Sequence, residues 1–141
     1  RSYSVTGVQT CALPISRKGQ ARTAIKKTAM IIHMAQKKVR ENRVYTGDFA
    51  RSIAHQRFAK KQYAQGHYLK AIHHTRRARL LAINSLRANR GEVPADAEIA
   101  ENDMKSMPDD SGLDAEMRKE MPGQTMNDAD LIAQALDVDI E

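Results

Sequence analysis

The hydrophobic and polar positions of this 141-residue chain predict three consecutive helices. Apolar residues recur at three- and four-residue steps, the spacing of one face of an α-helix. The first helix is predicted over about 17–42, the second begins near Phe49, and the third follows a corner at Gly66 and runs to Asn89. Because the connections are short, we expect the three helices to pack antiparallel around one core.

The corner at Gly66 follows a run of good helix formers, where the chain often needs a positive φ that glycine adopts at low cost. Before the second helix, Thr46 or Asp48 is predicted to accept from the first free backbone amides. The third helix has an apolar stripe that starts at Tyr68 and Leu69 and ends at Leu86. The residues expected to close the second and third helices against each other are Ala59, Tyr63, Gly66, Tyr68, Ala71, Ile72 and Ala78.

The segment YAQGHYLKAI, with a small residue upstream and an alanine downstream, resembles the helix-turn-helix of a tetratricopeptide repeat. The resemblance covers residues 55–83, which is one repeat, and Ile83 stands where the family usually ends in proline. It implies a helical hairpin, but one repeat does not form the stacked solenoid with its concave peptide groove. The family's Gly, Tyr, Ala and Ala fall on Gly66, Tyr68, Ala71 and Ala78, and its earlier small residue on Ala59.

Two further resemblances concern the same region. The pattern G-x-Y-x-x-A followed by His74 resembles the HEPN family of helical nucleotide-handling domains. Its ribonucleases have a longer spacing between Arg and His than the three residues that separate Arg51 from His55, so that activity is not implied. FARSIAHQRFA with the hairpin is similar to small uncharacterised bacterial proteins that begin with an export signal, and this similarity implies no activity.

Residues 1–16, RSYSVTGVQTCALPIS, resemble the conceptual translation of a sequencing-library adapter. Such segments are excluded from fold reasoning. Cys11, the only cysteine, then gives no disulfide, zinc cluster or thiol nucleophile. We expect the native start to be missing, so the compartment is extracytoplasmic if an export signal was lost and cytoplasmic otherwise.

After Asn89 the chain becomes acidic, with breaks at Pro108, Gly112 and Pro122-Gly123. Short helices are predicted over 96–104, 111–121 and 128–136, the last capped by Asn127. None is long enough to be stable alone, so they either pack on the preceding helices or stay mobile. The predicted fold is all-α, with a non-native segment 1–16, a basic helical bundle 17–90 and an acidic, partly helical tail 91–141.

Charge is distributed unevenly along the chain. Residues 17–90 hold 19 Lys and Arg against 2 Asp and Glu, a net charge of +17, whereas residues 91–141 have a net charge of −12. The basic helices are solvated faces, or are covered by the tail, or bind phosphate-rich partners by releasing counterions. The candidates for contact with an anion or with the acidic tail are Lys60, Lys61, Arg76, Arg77, Arg79 and Arg87.

The histidines do not predict a metal site. His55, His67 and His74 could approach one another around the corner, but ligand spacing such as i, i+4 is missing and no Asp or Glu lies within the hairpin. We therefore expect surface or partly buried histidines and no metal or other cofactor. The sequence also contains no nucleophile elbow, phosphate loop or paired-carboxylate motif, so no enzymatic activity is predicted.

The resulting functional hypothesis is a non-enzymatic helical interaction module that presents paired helices to an unknown protein partner. The alternative is a nucleic-acid or anionic-surface binder that is regulated by its own acidic tail. Signatures of RRM, KH and OB domains are absent, and aromatic residues for stacking on single strands are few.

Overall fold

The computed structural model describes residues 16–125 and 127–140, and this part of the chain is all-helical, without a strand. Five α-helices pack together. Of the segment that resembles an adapter, residues 1–15, which include Cys11, lie outside the described residues. Only its last residue, Ser16, is described. The elements are α1 Arg17–Asn42, α2 Asp48–Ala64, α3 Tyr68–Ala88, α4 Glu101–Lys105 and α5 Asp110–Glu120, with 3-10 turns at Ala95–Ala97 and Asp128–Asp130.

The ends of α1, α2 and α3 lie within about one residue of the predicted bounds. Ser16 caps α1, because its Oγ accepts from the Gly19 N–H at 3.1 Å. The start of α2 differs from expectation. Thr46 Oγ1 receives only the Asp48 N–H, at 3.3 Å, and the carboxylate of Asp128 accepts from the N–H groups of Gly47 and Ala50 at 2.9 and 2.8 Å. A distant acidic residue therefore caps α2 and complements its dipole.

The corner between α2 and α3 is a Schellman motif. Gly66 has a φ of 82°, its N–H donates to the Tyr63 carbonyl at 3.1 Å, and the His67 N–H donates to the Gln62 carbonyl at 2.9 Å. These bonds satisfy carbonyls at the end of α2 and reverse the chain, so that only three residues separate α2 from α3.

Replacing Gly66 with alanine is expected to lower the free energy of unfolding by about 1–2 kcal/mol, because an L-residue pays that cost in the left-handed region. A Cβ at this position would meet no atom within 4 Å, so the cost is conformational and not steric. Urea denaturation measures it. Gly112→Ala is the control: Gly112 lies inside α5, where an added Cβ would likewise meet nothing within 4 Å, and alanine there should stabilise by up to about 1 kcal/mol. Equal effects of the two variants on stability would contradict a left-handed conformation at Gly66.

The apolar core joins α1, α2 and α3 to the acidic part of the chain. The largest cluster contains Ile32, Phe49 and Leu86 from the three helices, and it also contains Leu131 and Val138. A second cluster brings Met117 of α5 against Phe58 of α2. Residues beyond Asn89 therefore supply part of the buried surface that holds the helices together.

The acidic region is less helical than predicted. The predicted helix 111–121 is α5, but 96–104 contains a 3-10 turn and the five-residue α4. The predicted helix 128–136 is wrong beyond the 3-10 turn Asp128–Asp130, although Asn127 caps that turn by accepting from the Ala129 N–H at 3.0 Å. Four carbonyls of this stretch, those of Leu131, Ile132, Gln134 and Val138, accept from side chains of α1 and α2 in place of the bonds of a longer helix.

Candidate functional site

Four side chains form a hydrogen-bonded chain at the junction of α2, α3 and α5. Asp114 Oδ1 lies 2.8 Å from His55 Nε2, His55 Nδ1 lies 3.0 Å from His74 Nδ1, and His74 Nε2 lies 2.7 Å from Glu116 Oε1. Both imidazoles are fully buried. The expectation of surface or partly buried histidines is therefore wrong for His55 and His74, whose carboxylate partners come from α5.

Helix packing fixes the orientation of the two imidazoles. The rings stack with centroids 5.2 Å apart and an angle of 19° between their planes, and Phe58 packs edge-on against His74 at 4.4 Å. On α5, Leu113 and Met117 are buried at an i, i+4 spacing. These two apolar residues hold α5 in place, so that Asp114 and Glu116 each reach one imidazole.

Arg77 completes the site. Its Nε and Nη2 donate to the two oxygens of Asp114 at 3.0 and 3.1 Å, a bidentate pair of the stronger kind. Its Nη1 also lies 3.3 Å from Asp110 Oδ2. Lys70 Nζ lies 3.2 Å from Glu116 Oε2 at the other end of the chain. Each carboxylate therefore faces one imidazole and at least one fixed positive charge.

The electrostatics of the site keep the histidines neutral and the carboxylates ionised. Burial lowers the pKa of His55 to about 4, aided by the neighbouring His74 and opposed by Asp114. Burial also lowers the pKa of His74, against the hydrogen bond to Glu116. Burial alone would raise the pKa of Asp114, but hydrogen bonds from Arg77 and His55 outweigh it and the pKa is lowered. The pKa of Glu116 is lowered in the same way by His74 and Lys70.

The hydrogen-bonded chain of four side chains can bind one proton beyond those that two neutral imidazoles carry. Its three contacts need three hydrogens, and the neutral rings supply two. Because Arg77 holds Asp114 as an anion, the His55 Nε2–H donates to Asp114, and with neutral rings and ionised carboxylates the contact without a hydrogen is that between His74 Nε2 and Glu116 Oε1. Within the described ranges, the hydrogen-bond partners of the two rings are each other and the carboxylates.

An open cleft of about 800 Å³ lies beside this cluster, between the start of α3 and α5. His74 and Glu116 line it together with the half-exposed Leu69 and with Lys70 and Lys119. Leu69 was expected on the apolar stripe of α3, but it lines this cleft and is half-exposed. The lining carries both charge signs, with Lys70 and Lys119 beside Glu116 and Glu120.

The six basic candidates do not form one patch. Arg76, Arg87 and Lys60 lie beside carboxylates of the acidic region: Arg76 Nη2 is 3.5 Å from Asp103, Arg87 Nη2 is 2.9 Å from Glu98, and Lys60 Nζ is 2.6 Å from Asp137. Lys61 is exposed. Arg77 belongs to the buried cluster described above.

Arg79 points into the helical core. Its Nε donates to Thr28 Oγ1 at 3.1 Å and its Nη2 to the Ala24 carbonyl at 3.0 Å. Burial, with the charge of Arg76, lowers the pKa of the Arg79 guanidinium to about 10. Arg79 therefore links α3 to α1. From the sequence alone, this buried arginine could not be distinguished from one that contacts a partner at the surface.

The hairpin residues lie where α2 meets α3. Ala59, Ala71, Ile72 and Ala78 are buried. The rings of Tyr63 and Tyr68 pack edge to face across the corner, with centroids 5.4 Å apart. His67 does not join the other two histidines, because its Nδ1 lies 2.9 Å from Gln62 Oε1.

A second site, missed by sequence reasoning, is the groove of α1 and α2 that holds residues 127–140, here named the C-terminal segment. Gln36 Nε2 donates to the carbonyls of Leu131 and Gln134 at 3.1 and 2.8 Å. Arg40 donates from Nε and Nη2 to the Ile132 carbonyl at 3.0 and 2.7 Å. Gln56 Nε2 donates to the Val138 carbonyl at 2.9 Å.

The sequence did contain a signal for this groove. Gln36 and Gln56 are uncharged polar residues next to apolar stripes, and both are buried. A buried amide needs hydrogen-bond partners. The partners of Gln56 span three parts of the chain: the Ile25 carbonyl, the Val138 carbonyl and the Thr75 hydroxyl.

Two observations bear on other classes of function. Among the described residues, no group of three or more His, Cys, Asp and Glu is arranged to hold a metal ion. No helix in the same part of the chain is both long and apolar enough to cross a membrane.

Comparisons with protein-family models, with curated proteins and with solved structures give no match. The function is therefore inferred from the geometry of the chain itself.

Proposed function

We propose that the protein is a non-enzymatic helical interaction module that binds polypeptide segments on the outer face of its basic helices. In this proposal α1, α2 and α3 form a three-helix antiparallel bundle with a tetratricopeptide-like corner at Gly66. The acidic region 91–141 is the polypeptide that occupies the bundle within the same chain. A partner protein competes with it.

The observation that supports this proposal is the way in which the C-terminal segment is held. Gln36, Arg40 and Gln56 all donate to backbone carbonyls of the segment. Recognition of main-chain groups is independent of side-chain identity, and it is how many domains bind extended peptides. The surface of α1 and α2 thus has the donors that a peptide partner requires.

The alternative, a nucleic-acid or anionic-surface binder regulated by the tail, is favoured by a different observation. Lys60, Arg76 and Arg87 pair with Asp137, Asp103 and Glu98, all of them exposed carboxylates of the acidic region. A polyphosphate would compete for the same cations. Arg77 and Arg79 would take little part, because both are buried.

Hydrogen exchange on the full-length protein tests both functions. If the module binds peptides, amides of the C-terminal segment should open with a lower free energy than amides of α2, since a surface that binds partners must be uncovered without global unfolding. Addition of a single-stranded oligonucleotide at low salt should then leave this exchange unchanged.

Two outcomes would contradict the proposal. If the segment exchanges only when α2 unfolds, it is an integral part of the fold and cannot yield to a partner. If the oligonucleotide accelerates exchange throughout 91–141, and added salt abolishes the effect, the nucleic-acid alternative is correct.

A further inference from the structure

We propose that the groove of α1 and α2 is a binding site for an extended partner peptide in which apolar and acidic residues alternate, and that Leu136–Asp137–Val138–Asp139–Ile140 is its occupant in cis. This inference rests on the proposed function and names the chemistry of the partner. The partner is another protein that carries such a segment.

The alternation is visible in the burial of the five residues. Val138 is fully buried and Leu136 and Ile140 are half-buried, whereas Asp137 and Asp139 are exposed. A two-residue period is that of an extended chain, in which successive side chains point to opposite sides. The groove therefore receives every second side chain, and an apolar residue is required at each of those positions.

The apolar positions are received by two different parts of the core. Leu136 and Val138 pack with the large cluster that includes Ile32 and Phe49. Ile140 packs with the smaller cluster around Ile25 and Ile72 near the corner. The groove thus extends along the helices. A helical ligand would not fit it, because residues i, i+2 and i+4 of a helix do not lie on one face.

The acidic positions are set by single basic groups at the rim. Lys60 Nζ lies 2.6 Å from Asp137 Oδ1, and His33 Nε2 lies 2.8 Å from Asp139 Oδ2. The Lys60–Asp137 ion pair adds little affinity because Asp137 is exposed, but Lys60 disfavours a basic residue at that position. Charge therefore gives the groove selectivity, and the apolar contacts with the main-chain bonds give it affinity.

The chain connection allows the segment to be tested as a separate ligand. Pro122 and Gly123 form an exposed turn between α5 and the segment. A protease site inserted in this turn permits cleavage of the folded full-length protein, after which the fragment is held only by non-covalent contacts. A labelled peptide of residues 127–140 is then added, and fluorescence anisotropy follows its exchange into the groove.

We expect saturable binding of the peptide to the cleaved protein, which stays folded by circular dichroism. Val138→Asp in the peptide should weaken binding by at least about tenfold, because a fully buried apolar side chain is lost. Arg40→Ala in the protein should weaken it by about fivefold, the value of a typical hydrogen bond. Lys37→Ala, a change at an exposed residue of the same helix, is the matched control and should leave the affinity unchanged.

Three results would overturn the inference. A scrambled peptide of equal composition that binds equally well would show that charge alone is recognised. A cleaved chain that unfolds, or that never exchanges its fragment, would show that the segment only completes the fold. Concentration-dependent dimers of the uncut protein, dissolved by the peptide, would make a second copy the occupant. The proposed function fails separately, if hydrogen exchange shows no opening of the segment in the uncut protein.

Discussion

Asp114→Ala is expected to lower the free energy of unfolding by about 3–5 kcal/mol, the usual cost of removing one partner from a buried ion pair. The change leaves the Arg77 guanidinium, which is only 9% exposed, without its bidentate acceptor. It also removes the acceptor of the His55 Nε2–H, and His55 is fully buried. Urea denaturation followed by circular dichroism measures the loss.

Asp110→Ala is the matched control for this prediction. Asp110 lies on the same helix and its Oδ2 is 3.3 Å from the same guanidinium, but its side chain is 63% exposed. Solvent screens such a pair, so the control should cost less than about 1 kcal/mol. If both variants lose the same stability, the buried cluster is no stronger than a surface pair and the account of α5 docking is wrong.

The helices α1, α2 and α3 could be predicted from the sequence because their signals are local. The stripe from Ala21 to Val39 repeats at helical spacing, and Gly66 ends α2 in the left-handed conformation that glycine favours. Such signals depend on neighbours within about one turn. They are sufficient to define the all-helical class and the bounds of these helices.

The buried cluster could not be predicted, because its partners lie far apart in the chain. His55 and Asp114 are separated by 59 positions, and His74 and Glu116 by 42. The absence of an acidic residue within the hairpin counted against a metal site and favoured surface or partly buried histidines. That reasoning failed because α5, a helix too short to be stable alone, is held in place by Leu113 and Met117 and brings both carboxylates with it.

The charge asymmetry was visible in the sequence, but its geometric meaning was not. Composition alone left solvated faces, covering by the tail and binding of polyanions open. In the structure, Asp128 caps α2 and Leu131 and Val138 enter the core. The acidic region therefore contacts the basic helices through hydrogen bonds and apolar packing as well as through charge.

Acidification is expected to destabilise the protein well above the pH at which surface carboxylates titrate. The pKa of His55 is lowered to about 4 in the folded protein from an ordinary value of 6.5, so the unfolded chain binds the proton first. The contribution of His55 to the free energy of unfolding is fully present above pH 6.5 and is lost as the pH falls to 4. A shift of this size corresponds to roughly 3 kcal/mol, and the lowered pKa of His74 acts with the same sign.

The four neighbouring charges make the acid response steeper at its lower end. Asp114 and Glu116 also have lowered pKa values, the first through Arg77 and His55 and the second through His74 and Lys70, so their contribution to stability is lost as the pH falls further through the carboxyl range. Urea midpoints should therefore change little between pH 7.5 and about 6.5, and they should fall continuously from there toward pH 4.5.

The slope of unfolding free energy against pH, compared between variants, separates the contribution of the His55 imidazole from that of the rest of the protein. His55→Asn should flatten the dependence of unfolding free energy on pH between 4.5 and 6.5, whatever its effect on stability at pH 7, because a titrating group with different pKa values in the two states has been removed. His67→Asn, at the exposed corner, is the matched control for replacing a histidine outside the buried cluster. A wild-type protein whose stability is flat over this range would show that His55 is protonated as easily in the fold as in the unfolded chain. That result would be incompatible with an imidazole that is fully buried between His74 and Asp114 of α5.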